Sequence, residues 1–422
     1  MRSKRNNVER QTNKRKIIND PVYGFISIPD DFIFDLIEHP WFQRLRNIRQ
    51  LGLAYFVYPG GNHSRFQHSL GALHLTTLAI QTLREKGIEI TPEEEEGTYI
   101  AILLHDTGHC PFSHALESTI IPNIKHEMMS LTLMKLLNEQ FDNRLRMAID
   151  IFTGDYPRKF LHELISGQID MDRLDYLRRD SFFTGVIEGS VGSDRIIRML
   201  NVVDDKLVVE EKGIYSIEKL LVARRLMYWQ VYMHKTVLAA ESILVKMMRR
   251  ARELTVSNKS IFLTPAMEFF FKNNINDEDI QNKGDISAKT IVEQFTSLDD
   301  SDILVSAKYW KNSDDRILAD LASRIINRNL FAIELQDTPF TEDRIEREKA
   351  SAKRRYSLND DEVNYYVYTN TVHHRVYSPN APDVRILLKS GGTDNISNVS
   401  DMFNLDNLLT QRCKYYICYP KN

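Results

Sequence analysis

AILLHDTGHCPFSH, residues 101–114, is the stretch on which the reading of this chain turns. An apolar run ends in His105-Asp106, and Gly108 and Pro111 follow at once, so a helix that begins upstream must stop just past that pair. Its start is legible too. Thr91 can cap, Pro92 suits the first helical position and Glu94 completes a capping box. The acidic run at 93–96 therefore reads as a helix N-terminus, favoured by the dipole, and not as a metal site. His105 and Asp106 emerge at the other end, where partial negative charge favours a cation. A divalent metal needs nitrogen and oxygen donors that converge from separate elements. Two further runs dense in His, Asp and Arg can supply them: HSRFQHSLG at 63–71 and QIDMDRLDYLRRD at 168–180. His68, His105, Asp106 and Asp172 together offer two imidazoles and two carboxylates. Neighbours on a helix diverge by about 100°, so such an ion would lie at a seam, with His68 and Asp172 arriving from flanking helices. Mixed ligation of this kind leaves iron, manganese, zinc and magnesium all open.

Composition bounds the rest. The chain has 422 residues, enough for a large core and two or three lobes. A formal net charge of −3 gives no global basic field, so nucleic acid is not an expected partner. The basic residues are uneven: seven of the first sixteen are Lys or Arg, without apolar periodicity, and read as a disordered tail or a polyanion contact. Three cysteines argue against a disulfide scaffold and for a reducing compartment, and Cys110 reads as a small packed residue. No run approaches the roughly 20 apolar residues that span a membrane, and the N-terminus lacks a signal-peptide core, so the expected location is the cytoplasm.

Along the chain, 17–250 reads as mostly helical. Phe34, Ile37, Trp41, Leu45 and Ile48 fall at spacings of three and four, which gives one apolar face over 31–51. A hairpin is expected at 201–212 with Asp204-Asp205 at its turn, then helix at 216–254 and again at 314–328. Residues 275–302 are polar and read as peripheral. From about 364 the β-branched and aromatic runs NYYVYTNTVHHRVYS, VRILLK and YYICY suggest short strands.

KIINDPVYG (16–24), WFQRLRNIRQLG (41–52), RFQHSLG (65–71), LLHDTGHCPFSH (103–114), IDMDRLDYLRRD (169–180) and YMHK (232–235) resemble, in order and spacing, the HD-domain phosphohydrolases. Among these the chain is most similar to the deoxynucleoside triphosphate triphosphohydrolase branch. The resemblance covers 16–235, with weaker echoes to 331. It implies a mainly α protein: a disordered basic tail (1–16), a helical HD core (17–255), a peripheral helical region (256–350) and a smaller α+β C-terminal lobe (351–422). It implies one divalent metal ion and hydrolysis of a deoxynucleoside triphosphate to deoxynucleoside and inorganic triphosphate. The metal would polarise the phosphorus centre and lower the pKa of a bound water.

The resemblance also implies roles. His126, paired with Glu127, is similar to the family's general acid, His114 to a phosphate-contacting or water-orienting residue, and His109 lines the same pocket. Glu117 stands where the family has Asp, three residues after His114, and alters the carboxylate's reach. Arg65, Arg173 and Arg224 look like phosphate-binding positions, with Arg173 replacing a Lys. Tyr176 is similar to the tyrosine that packs under the sugar and leaves little room for a 2′-hydroxyl, and Asp180 to the residue binding the 3′-hydroxyl. Gln50 and Leu51 resemble further sugar-pocket positions. The chain has QLGLA where the family has QLGGG, and Tyr228 where it has a phosphate-contacting His. Lys16, Gln43, Arg46 and Arg328 resemble residues that hold an activating nucleotide between subunits, which implies a homo-oligomer, dimer or tetramer. Glu38 and Ala332 replace an Asp and a Lys there. His39, His63, His74, His162, His373 and His374 read as hydrogen-bonded core imidazoles.

Two other functions compete: a different HD-type phosphohydrolase, such as a nucleotidase or phosphodiesterase, and a nucleotide-sensing or nucleic-acid-binding protein with little turnover. Arg65, Arg173 and Arg224 favour a triphosphate, and the intact ligand set favours turnover. No GxGxxG or GxxxxGK[ST] phosphate loop occurs, so Rossmann and Walker-type readings lack support.

Overall fold

The computed structural model of the protein describes residues 16–374, 384–401 and 412–421; the basic tail lies outside them, as do the side chains of His114, His373 and His374. The chain is mainly α, with a smaller α+β lobe towards its C-terminus. Its centre is the helix Arg65–Glu85, closed at its start by a Ser64–Gln67 capping box. Residues on every side of this helix are buried, from Phe66 and His68 to Leu83, because Pro92–Leu104 and Met171–Thr184 pack against it. Pro92–Leu104 carries the Thr91–Glu94 capping box expected of it and ends with His105 as its C-cap.

Two apolar clusters flank the His-rich segment. One gathers Leu70, Leu73, Ile100, Leu103, Leu174 and Leu177 from the central helices. The other gathers Phe112, Leu116, Met129 and Leu133 with the helix Lys235–Val256 and the helices that follow it. Residues 105–126 thus run along the seam between two cores, where backbone need not pack as regular structure.

The local structure departs from the sequence reading in four places. Residues 17–27 are not helical but an antiparallel hairpin, Ile17–Asp20 with Gly24–Ser27. Asp20 Oδ1 accepts the amides of Val22 and Tyr23 and Gly24 takes φ 78°, a turn that outcompetes helix. The amphipathic stretch 31–51 is broken at His39-Pro40, since proline removes an N–H and pushes its predecessor to extended backbone. The stretch 216–254 divides into Ile214–Met227, a π-helical turn Tyr228–Tyr232, and Lys235–Val256. Residues 275–302 are not peripheral: Ile291, Val292, Phe295 and Leu298 are fully buried in the second cluster.

The expected hairpin at 201–212 is present as Leu200–Val203 and Lys206–Glu210, with Asp204 and Asp205 at positive φ in its turn. Arg385–Leu387 adds to its edge in parallel. A third sheet orders Ala332–Gln336, Arg412–Tyr419 and Tyr368–His374 side by side. It therefore draws a strand from before residue 351, the boundary expected for the C-terminal lobe.

Candidate active site

Three elements converge on one point: the start of Arg65–Glu85, the end of Pro92–Leu104 and the first turn of Met171–Thr184. They bring donor atoms of His68, His105 and Asp172 within 4.8 Å of one another. Asp172 Oδ1 lies 3.0 Å from His68 Nε2 and 3.5 Å from His105 Nε2. Asp106 stands beside them, its carboxylate 3.3 Å from His105 Nε2 and 3.7 Å from His68 Nε2, while Arg65 Nη1 donates to its Oδ2.

The outward edges of both imidazoles are fixed. His68 Nδ1 donates to Asp175 Oδ2 at 2.7 Å, and His105 Nδ1 to the Ile102 carbonyl at 2.6 Å. Each inward Nε2 is then a lone pair, and both are buried without a hydrogen-bond partner among the described residues. Lone pairs facing carboxylates in a buried space repel unless a cation lies among them, so the donor set fits a divalent metal. Without one, burial disfavours charge on His68, but Asp172 and Asp175 outweigh it and push that imidazole up to about 10. Burial likewise opposes ionisation of Asp172, yet His105 and His68 hold it well below the usual carboxylate range.

Asp175 is itself clamped. Arg179 donates to it through Nε and Nη2, at 2.9 and 3.0 Å, and through Nη1 to Asp20 Oδ2 at 2.7 Å. The N-terminal hairpin thus orients a His ligand through two buried partners. A Cβ on Gly71 would overlap Asp175 and Arg179, so glycine is required where this pair crosses the central helix.

Through Asp172 the trio meets a cavity of about 520 Å³ lined also by Gln50, Leu51, Arg65, Asp106, His109, His126, Tyr176, Asp180 and Arg224, among others. His109 and His126 stack at 4.0 Å, and His109 Nε2 lies 3.2 Å from Asp106. Burial first, and then Arg65, holds His109 well below the ordinary imidazole pKa, so it is neutral. Gln50 Oε1 is buried with no hydrogen-bond partner among the described residues. Asp180 accepts from His63 Nε2 and from the Tyr232 hydroxyl, both at 2.7 Å. The π-helical turn widens the helix where Tyr228, Val231 and Tyr232 meet the cavity.

Other expected site residues are placed differently. His126 Nδ1 donates to Glu117 at 2.8 Å, and the same carboxylate oxygen accepts the His126 amide at 2.5 Å. Glu127, the partner expected for His126, is 3.5 Å away with a 60% exposed side chain. Glu117, His126 and Glu127 also bring donor atoms within 4.8 Å of one another, but His126 is already engaged by Glu117. Arg173 is not among the cavity-lining residues; its Nε donates to Asp170 and to the Gly167 carbonyl. The role expected of His114 rests on a side chain outside the described residues. Lys16 Nζ sits 3.2 Å above Phe34, Arg46 lies 3.6 Å above Phe66 and donates to Gln43, and Arg328 donates to the Phe56 carbonyl.

The turn carrying these groups is strained. Phe112 and Ser113 both take φ 53°. Asp300 holds the turn, accepting the Phe112 amide at 2.8 Å through Oδ1 and the Arg49 amide at 3.1 Å through Oδ2. Arg65 Nε steadies Ser113 Oγ at 2.9 Å.

The HD domain pattern matches residues 65–180 and the HD associated region matches 191–268. A phosphohydrolase from Bacteroides thetaiotaomicron superposes with a TM-score of 0.92 at 48% identity, over 97% of this chain and 100% of that one. The chain belongs to the HD-domain phosphohydrolases. Protein YwfO of Bacillus subtilis is 35% identical over 326 residues, 75% of this chain and 71% of YwfO. The deoxynucleoside triphosphate triphosphohydrolase SAMHD1 homolog of Dictyostelium discoideum is 34% identical over 241 residues, 52% of this chain. The match spans under half of that relative, 46% of its length. This HD-domain protein is accordingly a hydrolase of phosphate compounds, with His68, His105 and Asp172 able to hold a divalent metal. Among the described residues no helix is long and apolar enough to cross a membrane.

Proposed function

We propose that this enzyme hydrolyses a deoxynucleoside triphosphate to deoxynucleoside and inorganic triphosphate. The observation that carries the reading is that one cavity is lined by Asp172 of the metal trio, by Arg65 and Arg224, by His126, and by Tyr176 and Asp180. His68, His105 and Asp172, with Asp106 beside them, would hold one divalent ion, which supplies charge neutralisation at the phosphoryl group and an acidified water. Arg65 and Arg224 bind the polyphosphate, because guanidinium forks match its oxygens and remain charged. Arg173, held by Asp170 outside the cavity lining, adds positive charge beside Asp172.

Water attacks the α-phosphorus and the bond to the 5′-oxygen breaks. The leaving oxygen takes a proton from His126 Nε2, the edge opposite its bond to Glu117. Glu117 fixes the ring, Glu127 adds negative charge at the mouth, and His109, stacked on His126, limits its rotation. His114 completes the set as a phosphate or water contact. Asp180 keeps lone pairs after accepting from His63 and Tyr232, and a 3′-hydroxyl can donate to them. Tyr176, with Gln50 and Leu51, closes the space a 2′-hydroxyl would need. Lys16, Gln43, Arg46 and Arg328 form a nucleotide-binding surface between subunits, and occupancy there favours the assembled state.

A metal-supplemented panel of deoxynucleoside triphosphates, ribonucleoside triphosphates and monophosphates, with products separated by chromatography, tests the reading. Deoxynucleoside plus intact triphosphate is expected. Stepwise release of single phosphates, or equal turnover of ribonucleotides, would sink it in favour of a nucleotidase. Light scattering with and without guanine nucleotide tests the assembly; an oligomer indifferent to nucleotide removes the regulatory surface.

A further inference from the structure

We propose that Glu241 reads the nucleobase and that the substrate it selects is a guanine deoxynucleotide. The proposal rests on the triphosphohydrolase reading above and adds a base preference to it.

One part of the cavity wall is largely apolar. Where helix Lys235–Val256 meets the turn Gly52–Phe56, the lining is Ala54, Phe112, Ala115 and Val237, with Glu241 as a carboxylate among them. Apolar walls with one polar group are how a flat heteroaromatic ring is held and oriented. Among the described residues Glu241 has no hydrogen bond or ion pair. Glu241 is half-buried; a carboxylate partly withdrawn from water without protein donors is costly, and a ligand that brings donors lowers that cost. Its burial alone raises the Glu241 carboxyl to about 7, with no cation to offset it. Gly52 keeps the approach open: a Cβ there would already stand 3.7 Å from Glu241 Oε1, so a longer side chain would cover the carboxylate. Gly52 also takes φ 50°, which glycine adopts without strain.

Ionised, the form that donors from a ligand favour, the carboxyl presents two acceptors side by side. Guanine offers two adjacent donors, N1–H and the 2-amino group, which match it. Adenine and cytosine place an acceptor nitrogen next to their amino group, and thymine flanks its N3–H with two carbonyls. Each of these sets an acceptor against one carboxylate oxygen. Sites that pair a buried polar group with a substrate donor discriminate strongly against analogues lacking it.

The test compares kcat/KM for dGTP, dITP, dATP and dTTP in the metal-loaded enzyme and in Glu241→Gln, with products identified. Hypoxanthine keeps N1–H and lacks only the 2-amino group. Loss of one charge-assisted hydrogen bond is expected to favour dGTP over dITP by about 10- to 100-fold, and the ratio should collapse towards unity in Glu241→Gln. A wild-type ratio near unity overturns the proposal, and needs no variant to be read. A preference that survives intact in the folded variant overturns it equally. Deoxynucleoside and triphosphate from all four substrates at equal rates would remove the base reading alone. No such products from any substrate would remove the parent reading with it.

Discussion

Replacing Gly108 by alanine should separate the HD turn from the helix that carries His126. Gly108 sits where the turn after His105-Asp106 crosses the start of helix His126–Gln140. A Cβ at 108 would stand 2.8 Å from Ser130 Oγ, and closer still to the His126 carbonyl oxygen and the Ser130 amide nitrogen. Ordinary contact begins at 3.4 Å, so the helix must retreat by more than 0.6 Å (3.4 − 2.8), and the two backbone atoms cannot rotate aside. The retreat also stretches the bond from the Gly108 amide to Ser130 Oγ, now 2.9 Å, and from that hydroxyl to the His105 carbonyl, 2.6 Å. Overpacking of this kind costs about 1–3 kcal/mol. A displacement approaching 1 Å at a proton donor lowers turnover by about 100-fold. The expected result is a fall in kcat much larger than the change in KM, with a lower Tm and retained metal. Gly192→Ala is the control, since a Cβ there meets nothing within 4 Å. Wild-type kcat and Tm in Gly108→Ala would refute the argument that this crossing sets the position of His126.

Three more outcomes follow from the same geometry. Asp175→Asn should weaken metal binding by about 10- to 100-fold, because His68 loses the carboxylate that orients it; unchanged metal content in competition with a chelator would count against this. Asp300→Ala leaves the Phe112 and Arg49 amides without their acceptor at a cost of about 1–3 kcal/mol each, and lower Tm together with lower kcat is expected; a fully active, equally stable variant would show that the strained turn holds itself. Burial raises the folded-state pKa of Glu241 to about 7 from an ordinary 4.5, so its contribution to stability is fully present below 4.5 and is lost as pH climbs to 7. Over that window the Tm of the ligand-free enzyme should therefore fall more steeply in wild type than in Glu241→Gln, and superimposable Tm–pH curves would contradict the assignment.

The HD segment was legible because its signals are local. A capping box, an apolar run and a Gly–Pro stop determine where Pro92–Leu104 begins and ends, and hence that His105 and Asp106 leave a helix together. Family-like spacing then nominated His68 and Asp172, and the helices do bring them to His105. Asp175 could have been found as well, one turn beyond Asp172 on the same helix. The breaks at Pro40 and at the hairpin turn of Asp20 were also written in residue type.

The remaining partnerships were decided by tertiary structure alone. Asp20 meets Arg179 across 159 positions and Asp300 meets Phe112 across 188, and nothing in either neighbourhood names the other. Glu117 rather than Glu127 orients His126, because the first turn of a helix directs adjacent side chains apart and only the fold of the strained turn brings Glu117 back. Glu241 looks like any helical glutamate until the fold sets it beside Gly52, in a cavity that Phe112 also lines. Local physics determines which backbone can form at each stretch. Which buried donor meets which acceptor is a long-range matter, settled when the two cores close on the seam between them.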